Sequence, residues 1–333
     1  MPIPLSVLDQ SPVLSGESPA EAVATTIALA RHAERLGYSR YWLAEHHAMP
    51  GLADSSPEVL LARLTAETST IRLGTGGIML PHYAPLKVAE SFRMLEALAP
   101  GRIDLGLGRA PGGTGLVAAA RESRDAATFP AQVEETIRFL AGSLAPEHPF
   151  ARLTAMPSGP TVPAVWMLGS SEYGAALAAD FGLPYTFAHF IGGDARGVVR
   201  AYRDRFRPSP WCAQPRVMLA LSAIVAATDA EAEALALPVG LWRMRLLRGH
   251  AGPVPSVAEA EAYPWTPMER YELAQTRRVT AGSPRTVRAR IEELAAAHGA
   301  DEVMVVTIVP DSASRFRSYE LLAGAFALGA VAA

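Results

Sequence analysis

Short apolar runs alternate with longer amphipathic segments along this chain. The first pair is an apolar run at residues 3–8 and a segment at 19–36 whose apolar residues recur with helical spacing. Ser18, with Glu21 three residues later, predicts a capping box at the start of this helix, and Gly37 predicts its end. Because buried strands are short and surface helices have a period near 3.6, the pair predicts a βα unit.

The same alternation occurs eight times, without consecutive hairpins. The further apolar runs begin at Tyr41, Ile71, Gly101, Val165, Leu183, Val217 and Glu302. For 333 residues this predicts an α/β fold, a closed (βα)8 TIM barrel, and an open doubly wound sheet is the alternative. We expect one domain over residues 1–333, with a proline-rich insertion at about 146–163 after the fourth helix and a lid loop at about 249–278 before strand eight.

Glycines follow two neighbouring predicted strands. Residues 71–81 contain Gly74, Gly76 and Gly77, and residues 101–112 contain Gly106 and Gly108. Neither stretch completes the dinucleotide fingerprint G-x-G-x-x-G, and no P-loop occurs, which disfavours a Rossmann nicotinamide site. The glycines could serve only tight turns, or they could let backbone approach a flat or anionic ligand.

An anion pocket is predicted where the fifth strand meets its helix. Gly169, Ser170 and Ser171 lie at this junction, where unpaired backbone N–H groups and the helix dipole favour negative charge. An ordinary serine N-cap is the alternative. Arg109 follows the neighbouring fourth strand, so its guanidinium could bind a phosphate at the same place.

Glu45, His46 and His47 are expected at the end of the second strand. Adjacent strand residues point to opposite faces, so both histidines cannot easily bind one metal ion, and no H-x-H or H-E-x-x-H spacing occurs. We therefore expect no metal site. One histidine could face the barrel mouth as a proton donor or acceptor. Tyr263 and Trp265 of the lid, with Met268, could line a substrate pocket or pack on the lid itself.

Composition gives no reason to expect a nucleic-acid or membrane partner. The net charge is −3, from 33 acidic and 30 basic residues. Cys212 is the sole cysteine, so no internal disulfide can form. The chain has no secretory-type start and no run of about 20 apolar residues, and we expect a cytoplasmic protein.

Six blocks, in this order along the chain, resemble the bacterial luciferase-like flavin monooxygenases, in the subgroup without light emission. The blocks are residues 42–47, 76–81, 101–112, 168–171, 282–284 and 300–304. The resemblance implies a (βα)8 barrel that binds FMN at the carboxyl-terminal rim, usually as a homodimer. It also implies that reduced FMN from a separate flavin reductase is used with O2 to oxygenate a small organic substrate.

The resemblance assigns roles to individual residues. Gly76 and Gly77 would let the chain pass close to the flavin ring, where the family often has a non-prolyl cis peptide. His46 would be the catalytic histidine and Glu45 its orienting neighbour. The phosphate would be bound by Arg109 and by the junction residues Gly169, Ser170, Ser171 and Gly174. Luciferase has a cysteine where this chain has Gly108, so thiol-dependent behaviour is not transferable.

Other functions remain open at this point. Related barrels use the deazaflavin F420 to move hydride, so an F420-dependent oxidoreductase is one alternative. A non-catalytic flavin-binding protein is another. A metal-dependent hydrolase on the same fold is more distant, because the ligand spacing is missing.

Overall fold

The first βα unit folds as its sequence indicates. The computed structural model describes residues 3–276 and 278–329. In it the Ser18 hydroxyl accepts a hydrogen bond from the Glu21 amide, and the Glu21 carboxylate accepts one from the Ser18 amide at 2.7 Å. Gly37 adopts a φ of 84°, a value that favours glycine, and ends the helix.

Ten strands and thirteen helices are described. The strands are β1 Leu5–Asp9, β2 Arg40–Leu43, β3 Arg72–Thr75, β4 Ile78–Met79, β5 Ile103–Gly108, β6 Ala164–Gly169, β7 Tyr185–Ala188, β8 Val217–Val225, β9 Val279–Gly282 and β10 Glu302–Val306. The helices are α1 Pro19–Arg35, α2 Pro57–Glu67, α3 Pro85–Leu98, α4 Gly115–Ala120, α5 Phe129–Ala141, α6 Glu172–Phe181, α7 His189–Gly192, α8 Arg196–Arg205, α9 Asp229–Leu247, α10 Val257–Ala262, α11 Pro267–Thr276, α12 Pro284–His298 and α13 Ser312–Phe326.

Eight of the described strands close into a parallel barrel. Their order is β1, β2, β3, β5, β6, β7, β8 and β10, and β10 pairs again with β1. Helices lie between successive strands, so the predicted TIM barrel is confirmed. The short β4 pairs with β5. Strand β9 pairs with residues 222–225 of β8, and β7 pairs with residues 217–220 of the same strand.

Alternate residues of the strands divide the core into two layers. On β2, Tyr41 and Leu43 pack outward against the helices, and Trp42 packs inside the barrel. Trp42 meets Trp166 edge to face with ring centroids 5.5 Å apart, as expected for core tryptophans. These rings and other inward side chains, such as Met218 and Met304, fill the barrel interior, and the cavity described below lies at its rim.

Three segments differ from their predictions. Strand β2 ends at Leu43, four residues earlier than expected, because the amides of His46 and His47 bond to loop carbonyls rather than to a neighbouring strand. The predicted lid loop contains the helices α10 and α11, and α10 begins with a capping box of Ser256 and Glu259. Strand β9 was not predicted, since its four residues have no clear periodicity. The insertion at 146–163 forms turns and bends.

A buried ion pair joins the first strand to the last helix. Asp9 at the end of β1 accepts hydrogen bonds from Arg315 on α13, from the Tyr41 hydroxyl and from the Ser11 amide. Both charged side chains are almost fully buried. Burial alone would raise the pKa of Asp9, but the Arg315 guanidinium and these hydrogen bonds hold it below its usual value.

We expect Arg315→Met to lower the free energy of unfolding by about 3 to 5 kcal/mol, because it leaves the Asp9 charge buried without its partner. Urea denaturation at pH 7 measures the change. The effect should shrink as the pH falls, because burial without the arginine raises the pKa of Asp9 in the folded variant, which then takes up a proton. Below about pH 4 the original protein also loses the stability of the pair, since Asp9 is protonated in the unfolded chain. Arg317→Met on the same helix is the matched control: its exposed pair with Glu320 contributes at most about 1 kcal/mol. Equal losses in the two variants would contradict this account.

Candidate active site at the carboxyl-terminal rim

One cavity of about 310 Å³ lies where β2, β3, β5 and β6 end. These four strands are neighbours in the barrel, so the residues that follow them meet at one rim. The cavity is lined by all the residues predicted to bind a cofactor, Gly76, Gly77, Arg109, Gly169, Ser170, Ser171 and Gly174. Glu45 and His46, the predicted catalytic residues, also line it.

The wall between β3 and β5 is a close contact of two backbones. The peptide bond between Gly76 and Gly77 is cis, as the family resemblance implies. A Cβ atom on Gly77 would lie 2.6 Å from the Gly106 carbonyl oxygen, and one on Gly76 would lie 2.6 Å from Leu8 Cδ1. The Thr75 hydroxyl donates to the Gly106 carbonyl and accepts from its amide, at 3.2 and 3.1 Å. Protein packing therefore requires glycine at Gly77, where a Cβ would meet backbone, whereas at Gly76 it would meet only the movable end of the Leu8 side chain. The resulting wall carries no side chain.

Arg109 contributes a positive charge to the cavity. Its side chain is exposed, and its guanidinium carbon lies 4.0 Å from the centroid of the Tyr173 ring. Within residues 3–276 and 278–329 it has no carboxylate partner. Stacking on Tyr173 fixes the plane of the guanidinium but leaves its N–H groups available to an anion.

The N-terminus of α6 supplies further donors at the same end of the cavity. Ser171 is the N-cap residue, but its side chain makes no capping hydrogen bond. The ordinary serine cap is thus not what the structure shows. Gly174 lies close to β6, since a Cβ there would be 3.3 Å from the Leu168 carbonyl oxygen, a tight contact. Uncapped N–H groups, two hydroxyls and Arg109 together form an arrangement that suits a phosphate.

His46 lines the cavity from the opposite strand end. Its ring is partly buried, with 20% of the side chain exposed, and Nδ1 lies 3.4 Å from Oδ1 of Asp54. The His46 amide also donates to the Asp54 carbonyl at 2.9 Å. Sequence reasoning missed Asp54, because it lies in a loop without periodicity and its only signal was a carboxylate eight residues after a histidine.

The predicted role of Glu45 as the orienting neighbour of His46 is wrong. The Glu45 carboxylate instead bonds to His47 Nε2 at 2.7 Å, to the Tyr83 hydroxyl at 2.7 Å and to the Met79 amide at 2.8 Å. Residues two apart on an extended chain share a face and adjacent residues do not, so Glu45 lies on the side of His47 rather than on that of His46. The His47 amide donates to the Gly112 carbonyl at 2.8 Å, so this network holds the loop that follows Arg109.

The lid residues do not reach the cavity. The Tyr263 and Trp265 rings pack against each other with centroids 5.0 Å apart, and Met268 is exposed. The apolar part of the cavity wall comes instead from Leu168, Phe190 and Ile191. Two of these lie on α7, a single turn that sequence reasoning did not identify as part of the site.

Metal-binding clusters and membrane-spanning helices are both absent from the described residues. No group of three or more His, Cys, Asp or Glu side chains there could hold a metal ion. No helix in that part of the chain is both long enough and apolar enough to span a membrane.

Comparison with known proteins shows where the chain belongs. The family model for luciferase-like monooxygenases matches residues 3–302. A luciferase-like monooxygenase of Escherichia coli strain K12 is 38% identical over 325 residues, which cover 96% of each chain. The crystal structure of apo-MsnO8 is 41% identical, covers 99% of each chain and gives a TM-score of 0.90.

More distant solved structures share the fold. The oxygenating constituent of a Pseudomonas putida 3,6-diketocamphane monooxygenase, in complex with FMN, is 20% identical, covers 98% of each chain and has a TM-score of 0.71. An F420-dependent secondary alcohol dehydrogenase in complex with an F420-acetone adduct is 14% identical, with a TM-score of 0.69 over 98% of this chain and 99% of that one. On the full-length family match and these identities, the chain belongs to the luciferase-like monooxygenase family and is an oxidoreductase of the monooxygenase type.

Proposed function

We propose that this protein is an FMN-dependent monooxygenase that takes reduced FMN from a separate flavin reductase and uses O2 to oxygenate a small organic substrate. The observation that carries the proposal is the position of Arg109. An arginine without a carboxylate partner and the uncapped start of α6 line the same cavity as the Gly76–Gly77 wall and His46.

The residues present fit FMN at both ends of the cavity. Arg109, Ser170 and Ser171 would bind the phosphate, because a guanidinium and helix N–H groups are strong donors to a doubly charged anion. The wall at Gly76 and Gly77 has no side chain, so a flat ring system can lie directly against backbone. Reduced flavin, when bound, supplies the electrons with which O2 is activated.

The remaining residues would act on the substrate and on water. His46 lies beside the glycine wall and would accept or donate a proton at the reacting end of the cavity. Leu168, Phe190 and Ile191 present apolar surface to the same space and would exclude water. Glu45, bonded to His47, Tyr83 and Met79, would keep the Arg109 loop in place rather than take part in proton transfer.

A homodimer in the cytoplasm is part of the same proposal. The family resemblance suggests both, and light scattering on the purified protein tests the dimer.

An F420-dependent hydride transfer is the competing function. Titration of the protein with FMN and F420 side by side, followed by incubation with the reduced cofactor and O2, separates the two. Tighter binding of F420 without O2-dependent product would overturn the proposal.

We expect Arg109→Ala to weaken FMN binding by about 1.5 to 3 kcal/mol, the range for a lost charged hydrogen bond. This corresponds to about a 10- to 150-fold higher Kd in a fluorescence titration. Riboflavin lacks the phosphate, so its affinity should be nearly the same in the variant and the original protein. Arg196→Ala is the control, since Arg196 is an exposed arginine paired with Asp194 outside the cavity. Unchanged FMN affinity in Arg109→Ala would refute the phosphate assignment.

We expect His46→Ala to leave FMN affinity nearly unchanged and to reduce product formation by about 100-fold or more, the usual contribution of a general acid or base. Product is quantified after incubation with reduced FMN, O2 and a substrate identified by screening. His148→Ala, in the irregular segment before β6, is the matched control and should retain full turnover. Full turnover in His46→Ala would remove this histidine from the chemistry.

A further inference from the structure

A buried carboxylate lies directly behind His46. The Asp54 side chain has no exposed surface, and its Oδ1 is 3.4 Å from His46 Nδ1. Its second oxygen, Oδ2, is buried and has no hydrogen-bond partner among the described residues. The His46 amide also donates to the Asp54 carbonyl at 2.9 Å, and this backbone hydrogen bond holds the two residues side by side. Asp54 therefore contacts the cavity only through His46.

Asp54 differs from Asp9 and Asp104, the two buried aspartates of the strands. Asp9 is paired with Arg315, and Asp104 is paired with Arg40 and Arg72. Asp54 has no arginine or lysine partner in the described residues, so it does not stabilise the fold as an ion pair. An ionised carboxylate is costly in such a place, whereas a protonated one is neutral and can donate a hydrogen bond.

Two ionisable groups act on Asp54. One is His46, and the other is Asp9, whose own charge is balanced by Arg315. Burial raises the pKa of Asp54 to about 7; Asp9 adds to the rise, and the hydrogen bond and charge of His46 oppose it. Both protonation states are therefore accessible near neutral pH.

We propose that Asp54 is the positioning residue of this site and that its protonation state selects which form of His46 Nε2 faces the bound ligands. Ionised Asp54 accepts the Nδ1–H hydrogen bond, so the neutral ring presents a lone pair at Nε2 and can accept a proton. Protonated Asp54 donates to Nδ1, so the ring carries its hydrogen at Nε2 and can donate it. The inference rests on the proposed function, which assigns His46 to the reacting end of the cavity.

Every proton can be accounted for when a ligand transfers one to the His46–Asp54 pair. A proton taken up from a ligand at Nε2 gives the imidazolium beside ionised Asp54. Transfer of the Nδ1 proton to Asp54 then leaves a neutral ring with hydrogen at Nε2 and a neutral carboxyl group. One proton has entered the pair, and the reverse sequence returns it to the cavity. The pair with ionised Asp54 accepts a proton, and the pair with protonated Asp54 donates one.

The test is a measurement of the His46 tautomer by ¹⁵N NMR on protein labelled in histidine, without flavin. His46→Gln assigns the signals. At pH 9 we expect hydrogen at Nδ1 in the original protein. In Asp54→Ala we expect the signals to shift to hydrogen at Nε2, the intrinsic preference of imidazole. Asp54→Asn should retain hydrogen at Nδ1, because its amide oxygen still accepts that bond.

The carboxyl group is followed in the same way. In protein labelled with ¹³C at aspartate, we expect a signal that titrates near pH 7 and is missing from Asp54→Asn. A midpoint below about pH 5 would overturn the inference, and so would hydrogen at Nε2 in the original protein at pH 9. If Asp54→Ala does not fold, the near-isosteric Asp54→Asn and this titration still decide the question.

Turnover separates this inference from the proposed function. With a screened substrate, kcat of the original protein should change near pH 7, and Asp54→Asn should lose that dependence with KM unchanged. Should His46→Ala turn over normally while the NMR result holds, the proposed role of His46 is wrong and the Asp54 pair stands. An inactive His46→Ala together with an unaltered tautomer in Asp54→Ala would overturn the inference alone.

Discussion

The parallel pairing of β2, β3, β5 and β6 is the constraint on which the site depends. Parallel neighbours place their carboxyl ends at the same rim. The segments that follow these four strands therefore meet around one cavity, although about 120 residues of the chain lie between the first segment and the last. The pairing also sets how closely the strands approach. Gly76, Gly77 and Gly106 let two backbones touch, and the wall they form has no side chain. A closed barrel thereby produces a flat surface beside charged groups.

The sequence was sufficient for the barrel and for the composition of its rim. Regular alternation of apolar runs and helical segments leaves few other architectures, and glycines, serines and Arg109 directly follow apolar runs, so their meeting at one rim follows from topology. The orientation of side chains beyond a strand end was not predictable. The roles of Glu45 and His46 followed from the family resemblance, which did not say that Glu45 would bond to His47 and that Asp54 would contact His46.

The contacts that were missed are those between segments without periodicity. Asp54 reaches His46 from a loop, and α7 adds Phe190 to the cavity as a single helical turn. Neither segment is long enough for its apolar pattern to be recognised. In the lid, a predicted contact is missing instead: its aromatic residues were candidates for a substrate pocket, but Tyr263 and Trp265 pack against each other. Aromatic composition indicates that a side chain will be buried, but the tertiary contacts decide where.

The charged residues of the barrel have three kinds of environment. Those that stabilise the fold are different residues from those that belong to the candidate site. Arg40 and Arg315 are buried and fully paired, so they hold strands and helices together. Arg109 is exposed and unpaired among the described residues, so its charge is available to a ligand at little cost to the fold. Asp54 is buried without a cation of its own and can remain neutral by keeping its proton. Salt should therefore act on the phosphate end of the site, where solvent screens the charge, and pH on the histidine end, where it does not.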